Sequence, residues 1–460
     1  MTETHTEKQP ARAARQLDML HGSLWDTLTI FALPLALTGV LQQLFNAADV
    51  AVLGQFVGKE AMAAVGNNTP VISLFVTLFL GLSLGSNVVI ARYLGAREPE
   101  KAHDVLHTAI PLALIMGIIL MTIGELAAVP LLTILGVPSE VMAPAETYLR
   151  IYLAGLPVIS LYNFEAAIVR SRGDTRTPLM ALAVASGLNL VLDLAFTIFL
   201  DGGVAGVAIA TVLANVTSSG ILFRFLRHNT GVLHLDLRDL HIRRQYLATI
   251  VRIGLPAGIQ GMVFSISNVV VQSAINSLGA DAMAASAAAF VIEVNVYCFI
   301  NAYGQAATTF VSQNYGARNY ARCRRVFWVC LGLCLSVTTF LVLLVYWQAD
   351  AILGFFSTNP EVIRMAHIRL QCVTYLQCIN IVIEMISDSM RGYGLSLPPA
   401  LLALFGICGF RLLWIWTVFP AYPTFTTIMA GYPISWFITA VLLVMLYAWF
   451  MKHQKQRGMY

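Results

Sequence analysis

The chain is short of charge. Of its 460 residues only 11% are Asp, Glu, Lys or Arg, against about 25% in soluble domains. So few charges cannot cover a water-exposed surface of this size. They also exclude a disordered chain and a nucleic-acid binder. Cysteine is missing before Cys298, and the seven present form no CxxC pair, so they read as small apolar packing residues. No HExxH occurs, and no metal or cofactor site is expected. The alternating ten-residue strands of an outer-membrane barrel are missing too. The first 26 residues are polar, contain Lys8, Arg12 and Arg15, and lack the apolar stretch of a signal peptide.

What the chain has in excess is apolar length. Hydrophobic residues make up 58%, and the mean hydropathy is +0.74. A helical span needs about 20 apolar residues. Twelve such runs can be read, at 27–53, 62–91, 105–129, 146–169, 178–200, 205–226, 250–276, 283–315, 326–346, 364–390, 399–419 and 425–451. Gly54, Gly58, Pro130, Pro138, Gly202, Gly279, Pro360 and Pro423 punctuate them. The expected fold is an all-α polytopic membrane protein with 12 transmembrane helices.

Basic residues set its orientation. Twenty-three of the 28 lysines and arginines fall in the tails and the loops on one side, with Arg97, Arg172, Arg322 and Arg391 among them. The opposite loops hold Lys59 and Arg364, while Arg150 and Arg369 sit just inside spans and Arg411 deep in one. Both termini are therefore expected in the cytoplasm, in a multi-pass protein of the cytoplasmic (inner) membrane.

The sequence contains itself twice. Leu33-Pro34 matches Leu255-Pro256 at an offset of 222, and Gly39 and Asn46 match Gly261 and Asn268. At 221, Ala61–Ala64 matches Ala282–Ala285, Gly95-Ala96-Arg97 matches Gly316-Ala317-Arg318, and Arg170, Gly173 and Pro178 match Arg391, Gly394 and Pro399. Each half has six spans, so both enter the membrane the same way. They should be two six-helix bundles related by a pseudo-twofold axis along the membrane normal, facing a central cleft. The expected division is a tail (1–26), an N-terminal lobe (27–226), a linker (227–249), a C-terminal lobe (250–451) and a second tail (452–460).

Acids inside spans are costly and read as functional by default. Asp49 lies about 8 Å from the outer end of span 1, and Asp193 about 12 Å from that of span 5, at 1.5 Å per residue. Asn189 is one turn deeper than Asp193, and Thr211 lies at similar depth on the next helix. Two carboxylates, an amide and a hydroxyl suit Na⁺ or a proton pair. Each could instead satisfy only a neighbouring helix. Pro34, about four turns below Asp49, removes a backbone hydrogen bond and is a candidate coupling kink.

These residues in this order resemble the multidrug and toxic compound extrusion (MATE) family over nearly the whole chain. The resemblance rests on Leu-Pro followed by Asn46-Ala-Ala-Asp49, the two Gly-Ala-Arg turns and Arg170-Ser-Arg-Gly-Asp-Thr-Arg-Thr-Pro178. Arg391-Gly-Tyr-Gly394, Asn189-Leu-Val-Leu-Asp193 and Ala210-Thr211 complete it. It implies a cation site at Asp49, Asn189, Asp193 and Thr211. It implies export of cationic or amphipathic small molecules against H⁺ or Na⁺ by alternating access, by a non-enzymatic monomer. The glutamate and aspartate that one branch of the family carries in spans 7 and 10 are replaced here by Phe264 or Ser265 and by Asn380.

In the second half, Glu293, Glu384, Asp388 and Arg411 form a candidate charged cluster, with Arg411 expected to pair with one of the three acids. Asn67, Asn68, Asn163, Gln272, Asn276, Asn295, Asn301 and Gln305 are candidate cleft liners. Two other functions remain open on sequence: a flippase for a lipid-linked precursor, which would favour a cleft rich in Arg or Lys, and a membrane receptor or scaffold that transports nothing.

Overall fold

The computed structural model describes residues 17–456. The basic tail residues Lys8, Arg12, Arg15 and Arg457 lie outside them. Thirteen long helices account for the described chain, and the long apolar runs leave them little alternative. In hydrocarbon every backbone N–H and C=O must be satisfied within its own segment. They are α1 (Leu24–Phe56), α2 (Lys59–Gly95), α3 (Pro99–Ile134), α4 (Ser139–Ala154), α5 (Leu156–Ser171), α6 (Arg176–Phe199), α7 (Gly203–His228), α8 (Arg244–Asn276), α9 (Ala280–Gly316), α10 (Tyr320–Phe356), α11 (Pro360–Gly392), α12 (Leu397–Ala421) and α13 (Phe425–Gln456).

Helices α4 and α5 are bent by 49° at Gly155 and together make one crossing, which gives up to twelve spans. Gly155-Leu-Pro157 explains the break: proline supplies no N–H to continue the ladder. Short π-helical stretches widen α6 at Ala195–Phe199, α11 at Leu370–Thr374 and α12 at Leu404–Gly409. Such stretches often accompany functional sites.

The halves touch along α2 and α8. Gly81 and Gly85 on α2 face Gly254 and Gly258 on α8, two GxxxG pairs in opposed helices. A Cβ on Gly81 would overlap the Gly258 backbone, so only glycine permits this approach. Contact continues through Thr77 against Gly261 to a Ser73–Ser265 hydrogen bond of 3.0 Å. At the end that carries the two Gly-Ala-Arg turns the halves are locked: Gly95 abuts the Gln313 backbone and Gly316 the Arg92 backbone. Ser312 donates to the Val88 carbonyl (2.6 Å) and Thr309 to Asn87 (3.0 Å). Residues 17–22 strap this end. The Met19 side chain lies against Gly173 of the first half, and its carbonyl accepts from Asn314 and Arg322 of the second. Toward the opposite end, Gln272 and Asn276 on α8 are exposed. The two halves are thus locked together at the turn-bearing end.

The packing is less contiguous than a division at 226/250. The start of α1 (Leu24, Leu28, Phe31, Ala32, Leu35, Ala36) is buried in the core of the second half, with Phe31 edge-on to Phe310 at 5.4 Å. The end of α1 packs with the first half through Leu53. Helix α8 does the converse: Tyr246, Ile250 and Ile253 join the first core, and Val271, Ala274 and Ile275 the second. The repeat-related Pro34 and Pro256 stand near the two exchange points.

Candidate ion site between α1, α6 and α7

Helix α1 brings Asp49 against α6 and α7. The Asp49 carboxyl meets that of Asp193 and the hydroxyl of Thr211. Asp193 is wholly buried, Asp49 is 7% exposed and Asn189 5%. Spacing explains the convergence: Asn189, Asp193 and Thr197 are one turn apart on α6, so one face carries all three. Around them lies an apolar shell of Leu53, Val65, Val204, Val207 and Ala208.

Several buried polar atoms here have no hydrogen-bond partner among the described residues. They are Asp49 Oδ1, both carboxylate oxygens of Asp193, Asn189 Nδ2 and Thr197 Oγ1. Thr211 donates its proton to the Val207 carbonyl (3.0 Å), so toward the site its oxygen can only accept. Two carboxylates in contact repel unless a proton or cation lies between them. The oxygen-rich donor set fits either occupant. Sequence reading missed two members of this neighbourhood, Tyr148, which reaches Thr211, and Thr197. The i, i+4 step from Asp193 pointed to Thr197, but nothing local marked Tyr148.

The second half corrects the expected pairing. Among the described residues Arg411 meets no carboxylate. It donates to Ser435 (3.2 Å) and its guanidinium lies 4.0 Å from the Tyr432 ring centroid. Glu293 is instead held by Arg369 at 2.8 and 3.1 Å, and Arg369 also donates to Ser286 (2.6 Å). Asp388 is held by Arg391 at 2.5 Å. Arg391 was expected in a loop, yet it ends α11 facing inward and also donates to Gln260 of α8 (2.9 Å). Glu384 accepts from the Tyr297 hydroxyl (3.0 Å). The expected cluster therefore divides in two: Glu384 and Asp388 lie with Tyr297 and Arg391, whereas Glu293 and Arg411 lie with Arg369 around Tyr432. Helical rotation, invisible in sequence, decides which side chains meet.

The cleft liners divide. Gln305 accepts from Arg170 (3.2 Å) and donates to Asn301 (2.6 Å), a polar bridge between the halves. Gln272 donates to Asn276 (2.8 Å) on an exposed face of α8. Asn67 is half-buried, and Asn163 and Asn295 each donate to the carbonyl one turn back. Asn68 is not a liner: it is wholly buried and pins α2 to α4 through the Ala145 carbonyl (2.9 Å).

The chain matches the MatE family model twice, at residues 34–195 and 256–417. The two matches begin and end at the offset that relates the repeats. It is 29% identical over 446 residues to the probable multidrug resistance protein YoeA of Bacillus subtilis, covering 94% of this chain and 95% of that protein. It is 28% identical over 392 residues to the probable multidrug resistance protein NorM of Thermotoga maritima, covering 83% and 82%. Its fold superposes with a TM-score of 0.89 on an outward-facing multidrug resistance MATE family transporter of the MOP superfamily, at 24% identity, covering 97% of this chain and all of that one. Two half-length matches covering most of the chain, on a duplicated helical fold, place the protein in the MatE family of multidrug and toxic compound extrusion transporters.

Proposed function

We propose that the protein exports cationic or amphipathic small molecules across the cytoplasmic membrane, in exchange for H⁺ or Na⁺ taken up at Asp49 and Asp193. The observation that carries this is the contact of two buried carboxyls, three of whose four oxygens have no hydrogen-bond partner among the described residues. Such a pair binds a cation or a proton and is destabilised when empty. Both termini face the cytoplasm in this reading, and the locked end is cytoplasmic because the basic loops gather there. The opposite end then faces outward, where the coupling ion enters. Occupation of the site removes the repulsion between α1 and α6 and lets α1 shift, and Pro34 gives α1 a place to bend. Alternating access follows if the strapped end opens when the outer end closes.

We favour H⁺ over Na⁺, because one proton shared between the two carboxyls satisfies both, whereas Na⁺ needs further oxygens around it. The experiment uses the full chain in liposomes with a fluorescent cationic dye and an imposed gradient. Asp49→Asn and Asp193→Asn should each abolish gradient-driven dye movement while leaving folded protein in the membrane. Movement at the unsubstituted rate in either variant would remove the site from the mechanism. Movement driven by a Na⁺ gradient alone, at fixed pH and potential, would overturn the proton preference.

A further inference from the structure

The repeat lets the ion site of the first half be traced in the second. Helix starts obey the 221 offset, with Ser139 matching Pro360 and Arg176 matching Leu397. At that offset Tyr148 corresponds to Arg369, Thr211 to Tyr432 and Asp193 to Trp414. Val65 and Ile72, apolar walls of the first site, correspond to Ser286 and Glu293. Asp49, at the 222 offset of the first helices, corresponds to Val271. Both acids have become apolar residues, and a tyrosine has become an arginine. Arg411 joins from α12, one turn before Trp414. The second half thus repeats the architecture with the charge reversed.

Charge at this second site is not balanced. Arg369 and Glu293 neutralise one another at 2.8 Å. Arg411 is 92% buried, being 8% exposed, and no carboxylate of the described residues lies within ion-pair distance. Its Nε goes to Ser435, and its face lies over Tyr432 and, at 5.8 Å, Trp436. The Arg369 guanidinium lies 6.0 Å from the same Tyr432 ring centroid, so one ring serves two guanidiniums. Cation–π contact softens a buried charge but does not cancel it. The Nη edge of Arg411 makes no hydrogen bond within the described residues. A free guanidinium fork in a low-dielectric site matches an oxyanion with two parallel N–H donors. Beside it, Phe290 is half exposed under Arg369 and offers an apolar rim. A helix widened to π geometry adjoins each arginine, Leu370–Thr374 after Arg369 and Leu404–Gly409 before Arg411.

We propose that Arg411, with Arg369, Tyr432 and Trp436, forms a binding site in the C-terminal half for the carboxylate or phosphate group of an aromatic compound. The rings of Tyr432, Trp436 and Phe290 take the apolar body, and the Nη edge of Arg411 takes the oxyanion. Glu293 competes with the ligand for Arg369 and keeps the empty site from carrying two uncompensated charges. This is a statement about binding and does not depend on the exchange reaction. A chain that moves no dye yet binds such an anion would strike the export reading alone.

The test is isothermal titration of the full chain in lipid nanodiscs with three probes: salicylate, phenyl phosphate and the neutral salicylamide. Salicylate or phenyl phosphate should bind saturably and at least tenfold more tightly than salicylamide; which of the two binds assigns carboxylate or phosphate. Arg411→Gln should weaken that anion at least tenfold, and Arg411→Lys should restore part of the loss. Glu293→Gln should tighten it severalfold by freeing Arg369, which keeps the proposal testable should Arg411→Gln not fold. Arg364→Gln removes the same charge from an exposed ion pair on α11 and should change nothing. Equal binding of salicylamide and both anions, no saturable binding of either anion, or anion binding untouched by both Arg411→Gln and Glu293→Gln would overturn the assignment.

Discussion

Replacing Arg391 by methionine should destabilise the protein far more than removing a loop arginine would. Arg391 is 8% exposed and Asp388 5%. Its two Nη groups reach Asp388 on its own helix and Gln260 on α8, so it ties α11 to the helix that crosses between the cores. Methionine keeps the volume of the stem but leaves the Asp388 carboxylate buried and uncompensated. Thr308, which donates to the Asp388 carbonyl rather than to its carboxylate, cannot stand in. Breaking a buried pair from one side costs about 3–5 kcal/mol, and the lost donor to Gln260 adds about 1 kcal/mol. At 1.4 kcal/mol per tenfold, that is roughly three to four orders of magnitude in the unfolding equilibrium. The assay is unfolding of the purified chain in mild micelles titrated with dodecyl sulfate, followed by tryptophan fluorescence. The double variant Arg391→Met with Asp388→Leu removes both charges and should recover most of the loss, because a buried pair is worth little against apolar residues of similar volume. A single variant that costs under about 1 kcal/mol, or a double variant no better than the single, would refute the argument.

Two further outcomes follow from the contact between the halves. Arg322→Ala removes three donations to the carbonyls of Met19, His21 and Gly22 and should free the strap, about 2 kcal/mol for hydrogen bonds from a charged donor; spin labels on Arg97 and Arg318 should report a broader, longer distance, and an unchanged distribution would show that the strap does not hold this end. Gly81→Val places a side chain where the Gly258 backbone lies and should push α2 from α8, lowering the yield of folded protein, whereas Gly220→Val meets open space and should be tolerated; equal yields would mean that the helices do not depend on this close approach.

Much of the architecture was legible in the sequence, because a membrane narrows the choices. Apolar length marked every crossing, including the one that the bend at Gly155 divides into two helices, since the hydrocarbon thickness sets a minimum run whatever the packing. The constant 221 offset exposed the duplication because a repeat is a property of order, not of contact. Asp49 and Asp193 stood out because a carboxylate in hydrocarbon has few structural excuses. Tertiary structure decided which side chains meet, since sequence spacing fixes depth along a helix but not its rotation against neighbours. That is why Arg411, placed at the right depth for Glu293, Glu384 or Asp388, lies instead against Tyr432 and Ser435, while Arg369 takes Glu293. For the same reason Asn68 turned into a helix pin rather than a cleft wall, and Tyr148 came unannounced to the ion site. The exchange of α1 and α8 between the two cores also belongs to the tertiary structure, because an apolar residue carries no mark of which apolar partner it will bury against.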